Sequence, residues 1–137
     1  MLFNQDLESL KDSKFKGEFA QLRVQIAAAH KGISVAIPTT EDRFDIVICY
    51  KDRLSRAQIK FCDRYSSRSR NTLELVLYNN KLNKKCYTKE DIDELLVFVP
   101  KVDRILSFGP DIFHNKKTIT IELENKNSPW FWEKFKW

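Results

Sequence analysis

The chain has 137 residues, 42% hydrophobic and 31% charged, a composition that is typical of a folded globular domain and excludes a disordered chain. This length is enough for one core and too short for two, so we expect a single domain over residues 1–137, with its core at about 14–123. No apolar run approaches the roughly 18 residues of a membrane span, and the acidic N-terminal segment does not resemble a signal peptide. We therefore expect no membrane association and an intracellular location, either cytoplasmic or nucleoid-associated.

The net charge of +5 comes from one block of the sequence. Residues 51–70 contain seven basic and two acidic side chains, and the rest of the chain is balanced. A solvated surface usually mixes the two signs, so this one-sided excess favours a polyanionic partner. The three cysteines are odd in number and lack a C-x-x-C pair, which predicts free thiols and no zinc site.

The first predicted element is an amphipathic helix at about residues 14–31, which Gly32 is placed to end. Its apolar positions recur at helical spacing, namely Phe15, Phe19, Leu22, Ile26 and Ala29. Glu18 lies at the border of this stripe, from where it could reach the sheet that the helix covers.

Apolar, β-branched segments separated by polar turns follow the helix and predict strands. They lie at residues 33–37, 44–50, 55–62, 72–78, 95–99, 104–108 and 118–123. The second and third are joined by a short polar loop and should pair antiparallel. The fold class expected is α/β (α+β), with helices flanking one mixed β-sheet.

Side chains two residues apart on a strand point to the same face, so Gln58 and Lys60 should project together, away from the apolar layer of Ala57 and Ile59. On the partner strand, Asp45 would be costly to bury without a cation. Two interpretations remain open at this point. Lys60 pairs with Asp45 in an ordinary ion pair, or Asp45 and Gln58 hold a metal ion while Lys60 serves an attacking water.

The order of a helix glutamate, a hairpin aspartate and a Gln-Ile-Lys strand resembles the PD-(D/E)XK nucleases. Gly17-Glu18, the PTTEDRFDIVI segment at 38–48 and the Gln-x-Lys pair are similar to bacterial group I intron-encoded homing endonucleases of this superfamily, as is YTKEDID at 87–93. The resemblance covers about residues 14–123 and implies a restriction-endonuclease-like core.

The resemblance implies a catalytic set of Glu18, Asp45, Gln58 and Lys60. Asp45 and Gln58, with Glu18 directly or through water, would hold Mg²⁺ (or Mn²⁺), and Lys60 would position water, giving 5′-phosphate and 3′-hydroxyl ends. The sequence departs from the common signature twice. Phe44 stands where proline is frequent, and Gln58 replaces an acid, which removes one negative charge from the metal site.

Basic side chains near this set are candidate contacts to double-stranded DNA, through phosphates or guanine edges. They are Arg56, Arg64, Arg68 and Arg70, with Lys84 and Lys85, beside Lys81, as a second phosphate-binding surface.

The expected function is therefore a site-specific, homing-type endonuclease. Cutting both strands calls for two active sites, which predicts a homo-oligomer, either a dimer or a tetramer. The alternatives are a Holliday-junction resolvase or restriction-like nuclease, and a catalytically inactive DNA-binding module. The aromatic tail at 128–137 is expected to close the core or an interface between subunits.

Overall fold

The computed structural model describes residues 12–78 and 85–137. The helices are α1 (Ser13–His30) and α2 (Pro110–Phe113), with a 3₁₀ helix at Trp132–Phe135. The strands are β1 (Ser34–Ala36), β2 (Ile46–Cys49), β3 (Leu54–Phe61), β4 (Tyr65–Ser66), β5 (Ser69–Val76), β6 (Glu94–Val99), β7 (Arg104–Phe108) and β8 (Thr118–Glu122). Among the described residues, no helix is both long and apolar enough to span a membrane.

Helix α1 forms where the sequence predicts it, but it packs through a different face. The Asp12 side chain caps its first turn by accepting the backbone N–H of Lys14 at 2.9 Å. The residues buried against the sheet are Ala20, Val24 and Ala28. Three large side chains of the predicted apolar stripe are exposed instead, by 57% for Phe15, 57% for Leu22 and 62% for Ile26, whereas Phe19 is half-buried against the ring of Phe98. Placing the core on that stripe was wrong except at Phe19, because small side chains spaced four residues apart let the helix approach the sheet closely.

The main sheet has five strands in the order β1-β2-β3-β6-β7. Strands β2 and β3 pair antiparallel, with Ile46 opposite Ala57, which confirms the predicted hairpin. Strand β6 lies parallel to β3, and all six of its residues are buried because both faces of the sheet are covered. The predicted mixed sheet is therefore confirmed in these five strands.

A second sheet corrects the prediction that all strands share one sheet. It is antiparallel, in the order β4-β5-β8, and contains the segments predicted at 72–78 and 118–123. Leu73 and Ile121 from this sheet share a core with Leu95 and Val97 of β6. An alternating pattern shows that a segment has one apolar face, but it does not show which strand lies beside it.

The C-terminal tail closes the core from the side of β7, which is the first of its two predicted roles. Phe131 is buried, and the Phe135 ring lies 4.8 Å from the ring of Phe108. The Trp137 indole N–H donates to the Tyr50 hydroxyl at 2.7 Å. The three cysteines are free thiols, as predicted.

Two substitutions to alanine in α1 test which helix face carries the packing energy. Val24→Ala should lower the free energy of unfolding by about 2 kcal/mol, because it removes buried methyl groups and leaves a cavity. Ile26→Ala, a larger truncation on the exposed face, should change it by less than about 0.5 kcal/mol. Urea unfolding of both variants measures this, and a larger loss for Ile26→Ala would contradict the observed packing.

Candidate active site

The two faces of strand β3 lie in different environments. Ser55, Ala57 and Ile59 are buried on the face that packs against α1, whereas Gln58 and Lys60 are half-buried on the opposite face. This matches the alternation that the sequence predicts.

Asp45 lies immediately before β2 and contacts the backbone of β3. Its carboxylate Oδ2 accepts the N–H of Ile59, the residue between Gln58 and Lys60, at 2.9 Å. Its own N–H donates to the carbonyl oxygen of Ala57 at 2.9 Å. Burial raises the pKa of Asp45, although the Ile59 hydrogen bond and the charge of Lys60 partly oppose that rise. The carboxylate is therefore held in place while its negative charge is poorly compensated.

Lys60 is close enough for its charge to act on Asp45, but within residues 12–78 and 85–137 no ion pair joins the two side chains. The ordinary ion pair that the sequence allowed is thus not formed. The ammonium lies instead over the ring of Tyr87, with Nζ 5.3 Å from the ring centroid.

Glu18 occupies an exposed position on α1, beside Gln21, Leu22 and Gln25. Across the part of the chain that the structure describes, its carboxylate makes no hydrogen bond or ion pair. The Asp45 carboxylate thus lies against the Gln58-Ile59-Lys60 backbone, and among the described residues no hydrogen bond joins Glu18 to this backbone or to Asp45.

The oxygen atoms at this position are of the kind that Mg²⁺ prefers. Oδ1 of Asp45 accepts no hydrogen bond from any described residue. The Gln58 amide uses its nitrogen for a 3.4 Å contact to the Ile59 carbonyl, which leaves its oxygen as an acceptor. Among the described residues, no three Asp, Glu, His or Cys side chains lie together in a way that could hold a metal ion. The predicted ligand set contains only two residues of these types, Asp45 and Glu18, and its third member is the amide of Gln58. The donor chemistry fits a divalent ion.

Three of the candidate DNA contacts are carried by a β-hairpin where the sequence suggests a loop. Arg64, Arg68 and Arg70 are exposed on or beside the hairpin of β4 and β5, which directly follows β3. They present the basic block on a defined backbone next to the strand that carries Lys60.

The remaining candidates differ in their availability. The Arg56 guanidinium donates to both carboxylate oxygens of Asp93, each at 3.1 Å, so a DNA contact would require this pair to open. Lys85 is exposed. Lys81 and Lys84 lie outside the described residues.

The sequence does not predict that Tyr87 contacts both Lys60 and Arg43. Besides the Lys60 ammonium, the Tyr87 ring has the guanidinium carbon of Arg43 at 4.5 Å from its centroid. Arg43 is 44 residues from Tyr87 in the sequence, and no local pattern predicts that they meet. The aromatic start of the YTKEDID segment was the available signal.

Comparison with known proteins gives a family match and structural matches. A family model described as PD-(D/E)XK endonuclease matches residues 11–130. A solved structure of a bacterial homing endonuclease, I-Ssp6803I, is similar with a TM-score of 0.74 and 17% identity, over 91% of this chain and 88% of that chain. At this identity the structural likeness shows the fold alone. None of the curated proteins matches the chain.

Asp45→Asn and Asp93→Asn should change stability in opposite directions. The raised pKa of Asp45 means that folding disfavours its charged form, so Asp45→Asn should stabilise the protein at pH 7. The Arg56 hydrogen bond lowers the pKa of Asp93, so Asp93→Asn should destabilise it at pH 7.

Both differences should shrink as the pH falls. The Asp45 effect fades below its raised pKa and is absent below the ordinary value of about 3.9. The Asp93 effect begins to fall below that ordinary value and is lost as the pH passes through the lowered pKa of the folded state. Urea unfolding between pH 3 and 8 measures the two profiles. Destabilisation by both substitutions at pH 7 would contradict the raised pKa of Asp45.

Proposed function

Since the chain belongs to the PD-(D/E)XK endonuclease family, we propose that this DNA endonuclease is of the homing type and cuts double-stranded DNA at specific sites with Mg²⁺ or Mn²⁺. One observation carries the proposal. The Asp45 carboxylate is bonded to the backbone N–H between Gln58 and Lys60, which brings an acid, an amide and a cation to one place. These are the side chains that phosphodiester hydrolysis requires.

Asp45 and Gln58 would hold the metal ion through Oδ1 and the amide oxygen, and Glu18 would join them directly or through a water molecule. When bound, the ion supplies Lewis-acid stabilisation of the charge that develops on the scissile phosphate. Asp45 suits this role because its backbone hydrogen bond orients the carboxylate without using both oxygens.

Lys60 would position the attacking water and offset negative charge in the transition state. The oxygen of this water forms a bond to phosphorus and releases a proton to solvent, the bond from phosphorus to the 3′-oxygen breaks, and the 3′-oxygen takes up a proton from solvent. The products would carry 5′-phosphate and 3′-hydroxyl ends. The half-buried position of Lys60 on β3 supports this role, since it limits the space the ammonium can explore.

Arg64, Arg68 and Arg70 would contact DNA from the hairpin that follows the active-site strand, and Lys85 would contribute from the segment before β6. Arg56 and Lys84 belong to the same proposal, although Arg56 would first have to leave Asp93. The net charge of +5 within residues 51–70 supports a phosphate-rich partner.

A homo-oligomer, either a dimer or a tetramer, is part of the proposal. One active site hydrolyses one phosphodiester bond at a time, and a symmetric assembly places a second site on the other strand.

Lys60→Ala should reduce cleavage about 10²–10⁴-fold, the range expected when a positioned group that assists water attack is removed. The assay incubates the protein with linear DNA, a four-way junction and a plasmid library of candidate sites, with Mg²⁺ or with EDTA. Lys126→Ala is the control, because it removes an exposed lysine that belongs neither to the catalytic set nor to the candidate DNA contacts. This variant should cut like the natural chain. Ligation of the products without prior treatment checks for 5′-phosphate and 3′-hydroxyl ends.

The substrates separate the rival functions. Cleavage confined to the four-way junction would assign a resolvase, and DNA binding without cleavage under every metal condition would assign an inactive binding module. Cleavage that EDTA does not abolish would contradict the metal-dependent mechanism.

Arg68→Ala should weaken DNA binding and lower the slope of log K against log salt concentration by about one, if the side chain neutralises one phosphate. Arg53→Ala is the matched control, because Arg53 is exposed but pairs with Asp52 at 3.2 Å. Fluorescence anisotropy in EDTA, at several salt concentrations, measures both slopes. Equal slopes for Arg68→Ala and the natural chain would remove this hairpin position from the DNA interface.

A further inference from the structure

Lys60 has a specific partner that the proposed mechanism has not used. A lysine ammonium on a flexible four-carbon chain samples many rotamers, so a role in orienting water requires something to hold it. No described carboxylate pairs with Lys60. Its ammonium lies 5.3 Å from the centroid of the Tyr87 ring, within the distance at which a ring face attracts a cation.

Tyr87 is itself fixed from several directions. Its carbonyl oxygen accepts the N–H of Asn115 at 2.9 Å, and its half-buried ring packs against the core between the two sheets. The next residue, Thr88, donates its N–H to the Asp91 carboxylate at 3.0 Å, which caps the turn that follows. A ring held in this way can set the position of a mobile side chain.

The same ring also contacts the segment that leads into Asp45. The guanidinium of Arg43 lies 4.5 Å from the Tyr87 centroid and 3.7 Å from the Asp91 carboxylate. Arg43 is two residues before Asp45 in the sequence. One aromatic ring thus contacts Lys60 and, through Arg43, the chain that supplies the acid of the site.

We propose that Tyr87 is a positioning residue for hydrolysis, which holds the Lys60 ammonium over its ring, near Asp45 and out of an ion pair with it. This inference rests on the proposed function. Tyr87 acts through Lys60, so the requirement is for an aromatic face and the phenolic hydroxyl is dispensable.

Tyr87→Leu and Tyr87→Phe form the matched pair for the activity test. Tyr87→Leu should lower kcat about tenfold with KM changed less than about twofold, because DNA binding depends on other side chains. Tyr87→Phe keeps the ring face and should remain within about twofold of the natural chain. In the Lys60→Ala background, Tyr87→Leu should cause no further loss, whereas a purely structural role would add its own loss.

A readout independent of cleavage follows the Lys60 ammonium itself. Lysines are dimethylated with ¹³C-formaldehyde, and the Lys60 signal is assigned by its absence in Lys60→Arg. Ring currents should shift this signal upfield in the natural chain and in Tyr87→Phe, and the shift should vanish in Tyr87→Leu. Thermal unfolding of each variant checks that it is folded at the assay temperature.

The outcomes separate this inference from the proposed function. If the natural chain cuts DNA and Tyr87→Leu cuts equally well, or if Tyr87→Phe is as impaired as Tyr87→Leu, the positioning role is overturned while the nuclease stands. If the natural chain cuts no substrate with any metal, the proposed function is overturned and the positioning role with it, even where the ring-current shift is observed.

Discussion

The arrangement depends on β3, a strand with an apolar layer on each side. Its neighbours in the sheet are β2 and β6, and α1 covers one face while the second sheet packs against the other. Gln58 and Lys60 lie on the second face, in register with the fully buried Leu95 and Val97. The site therefore borders an apolar core, which explains why the Asp45 carboxylate is desolvated. Nearby cations consequently affect its protonation state.

Close packing of α1 has consequences beyond the core. Because the small side chains of Ala20, Val24 and Ala28 face the sheet, the helix can lie near β3. The same rotation of the helix leaves Leu22 and Ile26 exposed and places Glu18 outside the packed face. Glu18 could therefore bind the metal ion only if its side chain extends to the ion from the side of α1.

The features of the fold that the sequence predicted correctly are those that depend on local periodicity. Alternation identified the hairpin of β2 and β3 and the common face of Gln58 and Lys60, since both depend on neighbouring residues. Periodicity failed for the packed face of α1, where large apolar residues and small ones form competing stripes. It also failed for the second sheet, where β5 pairs with β8, which is distant in the chain. Tyr87 was missed for the same reason, because its contacts with Arg43 and Lys60 span long sequence separations.

The position of Lys60 bears on how a site with a neutral amide could bind a metal ion. A direct ion pair would occupy the Asp45 carboxylate with an internal cation, and Gln58 offers no second negative charge to attract an external one. Within the described chain the lysine lies over an aromatic ring, and Oδ1 of Asp45 accepts no hydrogen bond. Because the Lys60 ammonium lies near the Asp45 carboxylate without pairing with it, one carboxylate oxygen is left for a divalent ion. On the proposed function, the ring that restrains Lys60 therefore offsets part of the electrostatic loss that comes with replacing an acid by Gln58.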